Sequence, residues 1–172
     1  MILSDSEIRK RLDSGEIQME SVGDHDVYKQ IGPASIDFRL GNTFKIYKRS
    51  RQTVIDSKLW SDPEHVETIT LADGEAFVIH PGDFVLGVTL EKIKVSEDLV
   101  ARCEWRSSIG RLGVIIHSTA GFIDPGFEGT ITLEMTNINE RPVTLYTGMR
   151  IGQYACETVH WEVEIPYNKR AT

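Results

Sequence analysis

The sequence predicts a mostly β protein, whether a β-sandwich, a jelly roll or a small barrel, with one short helix at the N-terminus. Short runs rich in Val, Ile, Thr, Phe and Tyr recur along the chain, and turn signals such as those at 81–83 and 124–126 separate them. Helical periodicity is scarce after the first segment, residues 1–16. We therefore expect residues 1–172 to form a single domain.

The N-terminal helix is predicted over residues 4–13. Ser4 and Glu7 match a capping box, in which the Ser4 hydroxyl accepts from the Glu7 amide and the Glu7 carboxylate reaches back. Ile8 and Leu12 lie one turn apart, so they share one face of this helix.

Nine strands are predicted from the apolar runs and their β-branched residues. They cover residues 35–40, 43–47, 76–80, 84–89, 99–104, 113–117, 130–136, 142–146 and 150–157. Residues 48–70 are polar and irregular, which indicates a long loop.

Composition and charge exclude several classes of protein. Hydrophobic residues make up 40% of the chain and charged residues 26%, as in ordinary globular proteins and unlike disordered or coiled-coil chains. The net charge of −7 disfavours non-specific binding to nucleic acid. Apolar runs such as 113–116 are too short to span a membrane, and no secretory signal is visible, so we expect a cytoplasmic protein. Cys103 and Cys156 form no CxxC pair, and we expect two buried, reduced thiols.

The tripeptide 106–108 has the composition of an anion site. Arg106 offers charge-assisted donors, while Ser107 and Ser108 add hydroxyls and backbone amides, and a phosphate group needs both kinds of donor. The same serines also suit the cap of a helical turn over residues 108–112, with the arginine simply solvated. From these three residues alone, capping is the favoured interpretation.

Alternation over residues 130–136 predicts the face of a strand on which Glu134 lies. The apolar residues share the opposite face, so Glu134 points away from the core. Such a glutamate either faces solvent or faces a cleft or subunit interface, where it can take a proton from water. The pattern leaves both interpretations open. Turn formation explains Asp124, which has a second role only if its turn lines a pocket.

Taken together, these segments resemble the dCTP deaminase family of the dUTPase-like superfamily, whose members are trimeric proteins with a distorted β-barrel or jelly-roll fold. Each similar segment is weak alone, but their shared order is specific, and the resemblance covers most of the chain. The segments are 1–4, 33–40, 80–84, 106–113, 117–127, 133–134 and 148–153.

The resemblance implies a homotrimer with active sites at subunit interfaces. It implies that Glu134 is the general base that activates water for attack on C4 of cytosine. Ser107, Arg111 and the carbonyl group of Ala120 would hold that water, and Asp124 would bind near the deoxyribose 3′-hydroxyl. The resemblance also implies substrate-binding roles for Arg106, Ser108, Gly121, Ile123, Phe127 and Gln153. Of these residues, Arg106 and Ser108 would contact the phosphates.

Zinc deaminases hold their metal through an H-x-E…P-C-x-x-C arrangement, which this sequence lacks. The resemblance therefore implies a zinc-independent reaction, with Mg²⁺ carried by the triphosphate. The implied ligands are dCTP and dUTP, with dTTP as a candidate inhibitor.

Three activities compete within this superfamily. Gly121 after Ala120, together with the 150–153 segment, resembles the bifunctional enzymes that convert dCTP to dUMP and pyrophosphate. A monofunctional deaminase that releases dUTP ranks second and a dUTPase third. Another alternative is a catalytically silent nucleotide-binding trimer. Two features motivate it: Trp105 stands where the family often has glycine, and the family's C-terminal lid is apparently lacking after 166–172.

Overall fold

A computed structural model describes residues 1–20, 26–48, 54–56, 58, 65–116 and 121–170. The α-helices in these ranges are α1, Asp5–Asp13, and α2, Ser107–Gly110, and 3₁₀ turns cover Val27–Gln30 and Tyr167–Lys169. The strands are β1 Ile17–Glu20, β2 Ile36–Arg39, β3 Thr43–Tyr47, β4 Val66–Thr70, β5 Ala76–Ile79, β6 Phe84–Val88, β7 Lys92–Val95, β8 Leu99–Trp105, β9 Val114–Ile116, β10 Phe122–Ile123, β11 Glu128–Gly129, β12 Thr132–Asn137, β13 Val143–Tyr146 and β14 Arg150–Thr158. The prediction of a mostly β protein with an N-terminal helix is confirmed.

The described strands pair antiparallel and form four sheets, in the orders β4-β3-β6-β12-β9, β10-β8-β14-β2, β1-β7-β11 and β13-β5. Many neighbours are distant in sequence, such as β2 and β14. One core contains buried side chains from all four sheets and from α1. The strands described thus enclose this core as separate sheets and not as one closed barrel.

Helix α1 forms where the periodicity predicts it, and Ile8 is fully buried on its inner face. The predicted capping box is wrong. Ser4 is the N-cap, but its hydroxyl lies 3.0 Å from the Ser6 hydroxyl and makes no cap hydrogen bond. The Glu7 carboxylate instead pairs with Arg11 at 3.4 Å, because a cation one turn later offers it an opposite charge.

All nine predicted strands are present, with ends that differ by at most two residues wherever the structure describes them. The prediction of a continuous loop over 48–70 is wrong at its C-terminal end, where β4 pairs with β3. The rest of that range is described only in part, since 49–53, 57 and 59–64 lie outside the described residues. The strands that the sequence did not predict are β1, β4, β7, β10 and β11.

The cysteines lie on adjacent strands β8 and β14, where both are buried and free, as predicted. Burial raises the pKa of each thiol, Cys103 and Cys156, to about 12. Nearby, the ring of Trp105 meets Phe38 edge-on, with 6.0 Å between ring centroids. Trp105 therefore packs towards the core.

A buried ion pair anchors β2. Glu91 is fully buried, and its carboxylate accepts from Arg39 Nε at 2.6 Å and from the Arg39 amide at 2.8 Å. Gln30 Nε2 donates to the same carboxylate at 3.1 Å and to the Asp37 carbonyl at 2.7 Å. This network fixes the strand on which the Asp37 side chain is displayed. Neither helix in the described part of the chain is long and apolar enough to cross a bilayer.

Candidate active site

Strand β12 places Glu134 on the face opposite its buried residues, as the alternation predicts. Leu133 and Met135 are fully buried, whereas Glu134 is half-buried. In the sheet register Glu134 pairs with Leu86 of β6, which in turn pairs with Lys45 of β3. The carboxylate therefore lies on the outer face of the five-stranded sheet and is not fully exposed to water.

Glu134 lines a cavity of about 310 Å³. The other lining residues come from β10, from the turn after it, from the start of β12 and from the C-terminal 3₁₀ turn. They are Phe122, Ile123, Asp124, Phe127, Thr130, Ile131, Thr132 and Tyr167. Of the two interpretations of Glu134 left open by the sequence, the structure supports a glutamate that faces a cleft.

The turn that follows β10 brings Asp124 and Phe127 to this cavity. The Phe127 amide donates to the Asp124 carbonyl at 3.1 Å, and Gly126 has a φ of +79°, which glycine adopts without strain. The Gly126 amide donates to the Ser96 carbonyl at 3.3 Å, so the turn is tied to the body of the protein. The turn that carries Asp124 therefore lines a pocket, which is the condition that the sequence set for a second role of this residue.

Tyr47 of β3 shows the electrostatic influence of Glu134. Burial, and secondly the negative charge of Glu134, raise the pKa of the Tyr47 phenol. The phenol therefore stays protonated at neutral pH and can act only as a neutral neighbour of the carboxylate.

The anion-binding candidates lie on α2 and just before it. The N-cap is Arg106, whose carbonyl accepts from the Ile109 amide at 2.9 Å, so the interpretation of Ser107 and Ser108 as helix caps is wrong. Both serines are exposed, and within the described part of the chain neither hydroxyl has a hydrogen bond. Arg111, at the end of the same turn, is also exposed. These donors are available to a ligand.

One carboxylate, Asp37 on β2, bridges two arginines at this end of the sheet. Its Oδ2 accepts from Arg106 Nη1 at 3.0 Å and from Arg150 Nη1 at 3.1 Å. One negative charge against two guanidinium groups leaves the cluster with a net positive charge, which suits an anionic ligand. Gln153 pairs with Asp37 across the sheet, and its Oε1 accepts from the Ser35 hydroxyl at 2.8 Å.

The described side chains thus form two groups. Four of the predicted site residues share the cavity: Ile123, Asp124, Phe127 and Glu134. The others are absent from its described lining, and they lie at the α2 turn or on the strands beside it: Arg106, Ser107, Ser108, Arg111 and Gln153.

Gly121 lies just before β10, where a β-carbon would come within 3.2 Å of the Cys103 carbonyl oxygen. The Gly121 carbonyl accepts from the Cys103 amide at 2.7 Å. Close packing on β8 therefore accounts for this glycine without reference to a ligand. Ala120 lies outside the described residues.

Sequence reasoning assigned no role to Asp37, Arg150 or Tyr167. Asp37 and Arg150 fall inside segments singled out above, but nothing local shows that strands 113 positions apart place them together. Tyr167 belongs to none of the sequence motifs. In the described residues, no group of three or more His, Cys, Asp or Glu side chains has the arrangement to hold a metal ion.

Comparisons with known proteins identify the family of this chain. Residues 2–159 match the family described as dCTP deaminase-like. A protein of Methanobrevibacter smithii, named dCTP deaminase, dUMP-forming, is 50% identical over 167 residues, which cover 96% of this chain and 84% of that protein. A Dictyoglomus thermophilum protein of the same name is 48% identical over 171 residues, 99% of this chain and 87% of that protein.

Solved structures show which fold the chain shares. The 2′-deoxycytidine 5′-triphosphate deaminase of Agrobacterium tumefaciens has a TM-score of 0.70 and 25% identity, covering 92% of this chain but 47% of the longer chain. A dUTPase of Streptococcus mutans has a TM-score of 0.50 and 20% identity, over 81% of this chain and 94% of the dUTPase, and shows a shared fold. The fold of this chain is dUTPase-like, and by its sequence the chain belongs to the dCTP deaminase-like family.

Proposed function

We propose that this protein deaminates dCTP in the cytoplasm and also hydrolyses the triphosphate, releasing dUMP and pyrophosphate. The observation that carries the proposal is the position of Glu134, half-buried in a cavity beside Asp124. The relatives named dCTP deaminase, dUMP-forming, which cover nearly all of this chain, support the choice of substrate and product.

Deamination replaces the exocyclic amino group of cytosine with oxygen. Glu134 takes a proton from a water molecule as the water oxygen attacks C4, and the C4–N4 bond then breaks. One water hydrogen ends on N3 and the other on the departing ammonia, with the carboxylate as carrier. Ser107, Arg111 and the Ala120 carbonyl orient the attacking water, so that little entropy remains to be lost in the transition state.

Triphosphate cleavage uses a second water, which attacks the α-phosphorus and breaks its bond to the bridging oxygen of the β-phosphate. Asp124 assists that water, and Arg106 and Ser108 hold the phosphates. The substrate is the Mg²⁺ complex of the nucleotide, whose coordination is completed by phosphate oxygens and water. dTTP competes for the same phosphate contacts as an inhibitor.

We further propose that the site is completed in a homotrimer, where α2 of one subunit faces the Glu134 cavity of the next. The separation of the two groups within one subunit supports this arrangement. The outer face that carries Glu134 also displays Phe84 and Ile115, which are 46% and 40% exposed and pair with Thr136 from either side. Apolar side chains in such a row are typical of a surface that another subunit covers.

A product assay tests the proposed activity. With dCTP and Mg²⁺, we expect dUMP and pyrophosphate in equal amounts, with little free dUTP. Accumulation of dUTP would instead identify a monofunctional deaminase, and hydrolysis of added dUTP without turnover of dCTP would identify a dUTPase. Binding of dCTP with no turnover of either nucleotide would support the silent trimer.

Replacement of Arg106 tests the phosphate contact. Loss of a charge-assisted hydrogen bond costs roughly 1.5–3 kcal/mol, so we expect Arg106→Gln to raise the KM for dCTP about 10–100-fold. The value of kcat should change far less, because the phosphates are remote from C4. Arg102→Gln is the matched control, since Arg102 lies on β8, shortly before Arg106 in the chain, and pairs with Glu157 at 2.5 Å. An unchanged KM for Arg106→Gln would contradict the assignment.

A further inference from the structure

Asp37 contacts the arginine to which the proposed function gives a phosphate. Its Oδ2 accepts from Arg106 Nη1 at 3.0 Å. The side chain of Asp37 is 18% exposed and that of Arg106 is 39% exposed, so the carboxylate is the buried end of the pair and the guanidinium is the accessible end. A carboxylate fixed in the sheet therefore sets the direction of a guanidinium group that reaches towards solvent.

The position of Asp37 is itself fixed by its strand. Asp37 lies on β2 between Ile36 and Phe38, which are both fully buried. Its carbonyl accepts from Gln30 Nε2 at 2.7 Å, and across the sheet it pairs with Gln153 of β14. The backbone that carries the carboxylate is thus held by core packing, by strand pairing and by a buried side-chain amide.

The two arginines on Asp37 differ in the donors that they keep for a ligand. Arg150 donates from Nη1 to the same Oδ2 at 3.1 Å and from Nη2 to the Lys29 carbonyl at 3.2 Å. Within the described part of the chain, Arg106 uses Nη1 alone for its side-chain hydrogen bond. Its remaining N–H groups form a planar fork, the arrangement that binds two phosphate oxygens at once.

A carboxylate beside a phosphate site has two opposing effects. Its negative charge repels an anionic ligand. Its hydrogen bond restricts the rotamers of Arg106, and this ordering would otherwise cost entropy when the ligand binds. Arg150 supplies a positive charge that offsets the carboxylate, so the repulsion is largely cancelled while the ordering of Arg106 is kept.

We propose that Asp37 is a positioning residue, which orders the Arg106 guanidinium for the phosphate chain before the nucleotide binds. Arg150 offsets the charge of Asp37, so the ordering is gained without a net repulsion of the triphosphate. This inference rests on the proposed function, because it takes the ligand of Arg106 to be the triphosphate of dCTP. Asp37 acts through Arg106 and not on C4, so its effect falls on binding of dCTP and not on deamination of the bound nucleotide.

Steady-state kinetics distinguish the two effects of the carboxylate, because they change the KM for dCTP in opposite directions. Positioning predicts that Asp37→Asn raises KM about 5–20-fold, no more than the loss of Arg106 itself, and changes kcat less than about threefold. If the carboxylate only repels the triphosphate, its neutralisation lowers KM. Glu157→Gln is the matched control, since Glu157 pairs with Arg102 in the same sheet and its side chain is 27% exposed. It should keep the parental constants.

A double-mutant cycle shows whether Asp37 acts through Arg106. The guanidinium is gone in the Arg106→Gln background, so we expect Asp37→Asn to change KM less than about twofold there. A rise in KM of the same size in both backgrounds would overturn the inference, as would an unchanged or lowered KM in Asp37→Asn alone. Losses of kcat and of melting temperature with an unchanged KM would also overturn it, because they indicate a role in folding only.

The unmodified chain separates this inference from the proposed function. If the chain neither binds nor turns over dCTP, the proposed function is overturned, and this inference with it. If the chain turns over dCTP and the effects of Asp37→Asn and Arg106→Gln on KM are independent, the proposed function stands and only the positioning role of Asp37 fails.

Discussion

Glu134→Gln should lower kcat for dCTP by about 10²–10⁴-fold, the usual contribution of general acid–base catalysis, while dCTP continues to bind. The amide has nearly the shape of the carboxylate but cannot take a proton from water. Because Glu134 lines the cavity from a strand whose other face is fully buried, the substitution should leave the fold intact. The Glu134→Gln variant should therefore lose turnover of dCTP while it still binds dCTP.

Single-turnover assays and calorimetric titration with dCTP measure the two effects independently. Glu140→Gln is the control, since Glu140 is exposed in the turn between β12 and β13 and should behave like the parent. If Glu134→Gln deaminates dCTP at the parental rate, the general base is another group. If binding is lost together with turnover, Glu134 holds the substrate and does not activate water.

Mixed trimers extend this test to the proposed subunit arrangement. Glu134→Gln subunits and Ser107→Ala subunits should each be inactive as pure trimers. If neighbouring subunits supply the two halves of a site, trimers refolded from a mixture contain some sites with both residues intact, and part of the activity returns. Mixtures that stay inactive would place both residues in the same subunit's site.

Glu91→Ala should destabilise the protein by about 3–5 kcal/mol, the cost of breaking a buried ion pair by removing one partner. Glu91 is fully buried and Arg39 is 6% exposed, so the guanidinium would lose this carboxylate at a place that water hardly reaches. Gln30 Nε2 and the Arg39 amide would lose acceptors as well. Glu91→Gln keeps an acceptor oxygen and should lose less.

Urea titration measures this effect, at one protein concentration throughout because the stability of the proposed homotrimer would depend on concentration. The control is Glu128→Ala, which removes an equally short ion pair, 2.6 Å to Lys92, from the surface. We expect no resolvable change in its midpoint, since water and salt screen exposed pairs. Equal midpoints for Glu91→Ala and the parent would show that the network contributes nothing net.

Local patterns were enough to find the longer strands. β12 and β14 have clear alternation and strong turn signals at their ends, and both were predicted to within two residues. β10 and β11 have only two residues each and form because β8 and β7 offer them edges. The sequence of β4 is largely polar because much of the strand is exposed, so its pairing with β3 decides its conformation.

The same division holds for the candidate site. Alternation placed Glu134 opposite the apolar face, and the turn signal placed Asp124 at a bend. Neither pattern reveals that these two side chains share a cavity with Tyr167, because the 3₁₀ turn reaches them only after the chain has returned from β14. The Asp37 bridge between Arg106 and Arg150 likewise depends on strands that pair across more than a hundred positions.

By itself the sequence determined the fold class, the family and most of the candidate site residues, because alternation, turns and ordered motifs are local properties of the chain. Only the tertiary structure decided which of those side chains meet. Contacts such as Tyr167 on Phe127 and Arg106 on Asp37 arise from non-local strand pairing and backbone docking. Their free energy depends on distances that no local pattern encodes.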